Sequence, residues 1–234
     1  LGLGALRPFT FCPFGYAWLA VPSLAGFLWL LCQGRPFRVG FAFGFGWFGF
    51  GAWWLAPTLH TFGHLPWVIA AFCVMLVGCV MALLPALWAC IAAKDGGRSH
   101  WILVRFPVAA VGEEWLRGHI FTGLPWTSLG NLMLDTPAIG WASWFGVSGL
   151  ALIPALLAAS LLLTVTHEEK KWGVGGLVVT TLMILFAPQP LEPTDQTSYR
   201  AALIQGNIPQ DQKWDAAFLN ETMFRYAELS AQAS

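Results

Sequence analysis

The sequence predicts a mainly α protein: a polytopic bundle of transmembrane helices followed by the first strand and helix of an α/β domain. Three observations carry that prediction. Of the 234 residues 57% are hydrophobic and only 10% charged, whereas soluble domains are roughly a quarter charged. Apolar runs of about 20 residues, the length that crosses a bilayer core, recur along the chain. At Pro188 the composition turns polar and the long apolar runs stop.

Residues 1–6 read as the remnant of an earlier span, and the chain is expected to be cut at both ends. Spans are then expected at about 14–32, 39–56, 67–93, 100–116, 137–166 and 172–188. The third and fifth contain no charge. The fourth is weaker, because Arg105 interrupts it and Glu113 and Glu114 close it; the aliphatic stem of Arg105 lets its head reach the nearer surface. The second, GFAFGFGWFGFGAWW, alternates like a barrel strand and contains G-x-G-x-x-G at Gly44, Gly46 and Gly49. Neither rival reading fits its context. No strand-turn-helix surrounds the glycines, position 69 is Ile instead of an acid, and barrels lack charge-free runs such as 67–93. As a helix it offers Gly40-xxx-Gly44 for close contact with a neighbour.

Basic residues mark one side of the membrane. Arg35 and Arg38, then Lys94 and Arg98, then Lys170 and Lys171 fall in alternate loops, and 57–66 and 119–136 contain no Lys or Arg. The basic loops are therefore expected in the cytoplasm, with the Trp126 loop and everything after residue 188 on the far side. Arg7 is the one exception to the pattern. Net formal charge is zero with no basic patch, which argues against a nucleic-acid partner. The five cysteines have no metal-ligand spacing and read as packing residues. His60 and His64 are spaced i,i+4, but among Pro57, Gly63 and Pro66 no regular helix is expected, so no metal site and no cofactor is expected either. Asn220-Glu221-Thr222 matches a glycosylation sequon by pattern alone.

The stretch Val111–Asn131, VGEEWLRGHIFTGLPWTSLGN, concentrates charge at the end of an apolar segment. Such charge is costly unless paired, and Glu113 and Arg117 have the favourable helical order and spacing. Glu114 and Arg117 are expected to be structural, fixing the helix end from which the Trp126 loop departs. Beyond Pro188, residues 189–198 read as a linker. Arg200–Ile208, RAALIQGNI, suits a buried strand running into a turn, and Asp215 is placed to cap a helix with Leu219, Met223, Tyr226 and Ala227 on one face.

EEWLRGHIFTGLPWTSLGN, RAALIQGNIPQ and KWD together resemble apolipoprotein N-acyltransferase, a bacterial inner-membrane enzyme. GALRPFTFCPFGYAW and the Gly/Phe-rich second span are similar to that family too. The resemblance covers the whole chain and about half of a typical family member; Leu124 and Asn131 differ from the family's usual Phe and Tyr. It implies eight membrane helices carrying a periplasmic nitrilase-like α/β domain, inserted before the last helix, with residues 199–234 as its start. It further implies that a Cys of a Glu-Lys-Cys triad takes an acyl chain from a phospholipid. The thioester then passes that chain to the N-terminal amine of a diacylated lipoprotein. None of the three catalytic residues is expected in this chain, which by itself should be inactive. The resemblance makes Trp126, Trp214, Gly123 and Pro125 substrate-binding. An anchoring role at the lipid interface stays open for Trp126. The protein is expected to be monomeric in the bilayer. Two other classes stay open: a non-catalytic membrane scaffold or lipid-binding protein, and a polyprenyl-phosphate glycosyltransferase. The last would call for acids in an extramembrane loop, where the Trp126 loop offers only Asp135.

Overall fold

The computed structural model describes residues 1–94, 96, 99–166, 169–189, 201–210, 212, 213 and 215–233. The chain divides into two compact units, Leu1–Leu191 and Glu192–Ser234. Among the described residues every regular element is helical.

In the first unit a four-residue helix α1 (Gly2–Ala5) leads through a 3-10 turn at Arg7–Thr10 to α2 (Ala20–Leu31). Pro36 starts α3 (Pro36–Gly51), where its fixed φ and missing N–H fit the first turn; Arg35 before it is left-handed at φ 57°. The run continues into α4 (Leu55–Thr61) after a bend of 46°. Helix therefore reaches His60, further than the prolines of 57–66 led one to expect. The His60 ring stacks on Trp67 at 4.3 Å, with Nδ1 2.8 Å from the Leu65 carbonyl oxygen. Next come α5 (Trp67–Ala92) and α6 (Ile102–His119).

The apolar stretch 137–166 is broken, although it reads as one span in the sequence. A 3-10 turn at Pro137–Trp141 and α7 (Ala142–Leu150) meet α8 (Leu152–Thr166) at 68°. Gly146, at φ 65° and ψ −179°, interrupts α7 in a conformation that side chains rarely adopt. Apolar periodicity does not register such a break. The unit's last helix is α9 (Lys170–Leu185).

Close approach to neighbouring helices explains Gly40, Gly44 and Gly46 of α3. A Cβ on Gly40 would lie 2.6 Å from the Pro85 carbonyl oxygen, and one on Gly44 2.8 Å from Ala82 Cα, so α3 lies directly on α5. Gly46 faces the other way, where a Cβ would lie 2.3 Å from the Leu1 carbonyl oxygen of the α1 segment. The core these contacts enclose is aromatic: Phe27 stacks on Phe43 at 4.1 Å, and Trp88 meets Phe106 at 4.7 Å. By length and composition α5 can cross a bilayer alone, and the bent pairs 36–61 and 137–166 can each do so as one span. Val68, Phe72, Met75 and Leu83 are half or more exposed along α5, an apolar outer face suited to lipid.

In the second unit residues 201–208 carry no regular secondary structure, so the expected strand is not formed among the described residues. A strand is stabilised by ladder bonds to a neighbouring strand, and no strand is described elsewhere in the chain. The helix is formed. Asp215 accepts a bond from the Ala217 N–H at 2.9 Å and caps a 3-10 turn, Ala216–Phe218, that leads into α10 (Leu219–Ala233). Leu203 is fully exposed, and Leu219, Met223 and Phe224 are more than half exposed.

Candidate functional site

Burying charge is costly unless it is paired, and at the end of α6 buried acids and a buried arginine pair with one another and with a loop. Glu113 and Glu114 lie four and three residues before Arg117, within reach of it on the helix surface, and all three are buried. Arg117 Nε donates to Glu113 Oε1 at 3.1 Å. Its Nη2 lies 2.7 Å from Glu114 Oε1, an ion pair without hydrogen-bond alignment. The remaining contacts leave the helix: Nη1 donates to the carbonyls of Leu124 at 2.9 Å and Trp126 at 2.7 Å. Glu114 accepts from the Ser128 hydroxyl and from the Leu129 N–H, the latter at 2.8 Å. The charged groups that close α6 thus hold both ends of the 124–129 loop.

The loop is strained as well as clamped. Thr122 and Thr127, both β-branched, sit at φ 80° and φ 55°. Such conformations cost about 1–3 kcal/mol each and persist only where surrounding contacts impose them. Gly123, at φ 85° and ψ 145°, makes the sharp return; a Cβ there would lie 2.1 Å from the Gly118 carbonyl oxygen. Thr127 Oγ1 accepts from the indole N–H of buried Trp47 at 2.9 Å and donates to the Trp126 carbonyl at 2.7 Å.

Trp126 is 54% exposed, stacked on Trp54 at 4.6 Å, with Pro125 exposed beside it. It lines a cleft of about 400 Å³ whose other walls include Phe11 and Cys12 of the segment before α2, and Asn131 and Asp135. A larger cavity of about 450 Å³ lies among Trp141, Phe145, Leu150, Ile153 and Met183, with no ionisable group in its lining. Trp214 lies outside the described residues.

Three participants went unrecognised in the sequence. Trp54 and Trp47 were two among 14 tryptophans. Arg7, an apparent exception to the loop-charge pattern, is fully buried with its guanidinium carbon 4.8 Å from the Trp47 ring centre. A charge count could have found it: Glu113 and Glu114 against Arg117 leave one negative charge over.

The family model described as the apolipoprotein N-acyltransferase N-terminal domain matches residues 3–161. Among curated proteins the chain is similar to the apolipoprotein N-acyltransferases of Methylococcus capsulatus (36% identity, covering 98% of the chain and 47% of that protein) and Nitrosomonas europaea (36%, 97% and 47%). The similarity to that of Ralstonia nicotianae is 33%, over 97% of the chain and 45% of the relative. The chain spans about half the length of the curated relatives it matches.

Proposed function

Because the chain belongs to the apolipoprotein N-acyltransferase family, we propose that it forms the membrane-embedded part of an enzyme that moves an acyl chain from a phospholipid to a lipoprotein. A Cys thioester in the remainder of the protein carries the acyl group, with the Glu-Lys-Cys triad outside these residues. Splitting one difficult transfer into two through a covalent intermediate lowers the barrier of each. The acceptor is the N-terminal amine of a diacylglyceryl-cysteine lipoprotein. Residues 199–234 open the nitrilase-like domain, where 200–208 becomes a strand once neighbouring strands can pair with it.

The protein crosses the bacterial inner membrane several times and presents residues after 188 to the periplasm. The alternation of basic loops supports that orientation. Reporter fusions check it: alkaline phosphatase joined after residue 200 should be active, and green fluorescent protein at the same point dark. Bright fluorescence there would reverse the topology and remove the proposal.

Within this chain we assign substrate contact to Trp126 and Trp214, with Gly123 and Pro125 setting the loop that carries Trp126. The observation behind the assignment is a half-exposed Trp126 held over a cleft by buried ion pairs and a strained backbone. An interfacial anchor needs an indole at the right depth and no such loop. An indole also suits the boundary between acyl chain and headgroup, with an apolar body and one N–H donor.

The test is transfer from phospholipid to a diacylated lipopeptide by the full-length protein in liposomes. Trp126→Ala should lower kcat/KM by about tenfold or more, on the order of 1.4 kcal/mol, with Trp126→Phe falling between. A folded Trp126→Ala protein with parental kcat/KM would exclude the substrate contact.

A further inference from the structure

We propose that Arg7, outside the loop motif and far from it in sequence, is a positioning residue that holds the Trp126 loop by its charge. Its guanidinium is fully buried, and among the described residues none of its three nitrogens has a hydrogen-bond acceptor. A buried cation kept in that state must be held by its electrostatic surroundings. Those are visible. Its guanidinium carbon lies 4.8 Å from the centre of the Trp47 ring and 5.7 Å from that of Phe11, both within cation–π range. Glu114 and, more weakly, Glu113 attract it, and together they face the opposing like charge of Arg117.

Two routes connect Arg7 to the loop. Trp47 receives Arg7 and also Arg117, whose guanidinium carbon is 5.6 Å from the same ring, and its N–H holds Thr127. Glu114 binds Ser128 and Leu129. Counted together, Arg7 and Arg117 balance Glu113 and Glu114. Without Arg7 the buried cluster carries one excess negative charge next to the groups that hold the loop. Arg7 also begins the 3-10 turn Arg7–Thr10, followed by the Phe11–Cys12 wall of the cleft, so a single side chain ties the segment carrying one wall to the loop forming the other.

The consequence for transfer rests on the reading of Trp126 above; the consequence for the loop does not. Charge, not bonding geometry, is what Arg7 supplies, so Arg7→Lys should preserve the loop and Arg7→Met should release it. Removing one charge of each sign, as Arg7→Met with Glu113→Gln, should restore it. Hydrogen–deuterium exchange of the full-length protein in lipid nanodiscs reads this directly, because the Leu129 N–H bonded to Glu114 reports the clamp.

Exchange across 123–129 should rise about tenfold in Arg7→Met while α5 keeps its protection. It should return to within about threefold of the parent in the double variant. Acyl transfer should fall and recover in parallel. The proposal is overturned if Arg7→Met leaves the loop unchanged, if Arg7→Lys is as disturbed as Arg7→Met, or if the double variant exchanges as fast as the single. Should Arg7→Met fail to fold, the double variant decides: folding with parental exchange supports the charge balance, and failure to fold refutes it. Since exchange is read without substrate, full activity in Trp126→Ala would remove the substrate reading and leave this result standing.

Discussion

Replacing Arg117 with methionine is expected to cost more than any other single change at the site. The substitution keeps an apolar stem but leaves Glu113 and Glu114 buried with their ion-pair partner gone. Removing one member of a buried pair costs about 3–5 kcal/mol, mostly as the penalty of the charge left behind. Two loop carbonyls, those of Leu124 and Trp126, lose their shared donor at the same time. For a unit of this size that corresponds to a fall of about 10 °C in melting temperature, measurable by thermal unfolding in detergent. Arg117→Lys should fall between, because an ammonium keeps the charge but lacks the planar fork that reaches two carboxylates and two carbonyls together. A melting temperature for Arg117→Met within about 2 °C of the parent would mean that the cluster is not the clamp described here.

The second large effect is expected from Gly123→Ala. Its φ and ψ of 85° and 145° lie where residues with a side chain are strained by about 1–3 kcal/mol. The added methyl would also stand 2.1 Å from the Gly118 carbonyl oxygen, closer than any real contact allows. The chain can relieve that overlap only by reopening the return from α6, which moves the Leu124 and Trp126 carbonyls away from Arg117. Transfer by the full-length protein should fall about tenfold or more, with a smaller loss of thermal stability than Arg117→Met. Faster exchange over 123–129 should accompany it. An alanine variant transferring within about twofold of the parent would separate loop geometry from function.

Both substitutions fall in a segment whose importance the sequence already displayed. Glu113 and Arg117 had a spacing that pairs on a helix, and Gly123 with Pro125 marked a turn. What spacing could not reveal was the third dimension of the pair. Glu114 and Arg117 do not pair only with each other along the helix; they also bond the backbone of the loop itself. Thr122 and Thr127 have no sequence signature for positive φ, since β-branched residues ordinarily avoid it. The break at Gly146 stayed hidden because a 30-residue apolar run looks the same bent or straight. Residues 201–208 failed to form a strand for a different reason: β structure is completed by partners, and a sequence pattern states only the propensity for it.

Composition and periodicity determined that this protein is a set of apolar helices with charge at the end of the fourth expected span, and short motifs carried the resemblance to its family. These are local or additive properties, summed along the chain, and need no knowledge of what touches what. Only the tertiary structure decided that Arg7 joins the Glu113–Glu114–Arg117 cluster, that Trp47 connects it to Thr127, and that Trp126 rests on Trp54 above a cleft. Each of those contacts joins residues 40 or more positions apart. Burial brings such residues together because one more cation was needed where the helix ends, and the chain supplied it from its first turn.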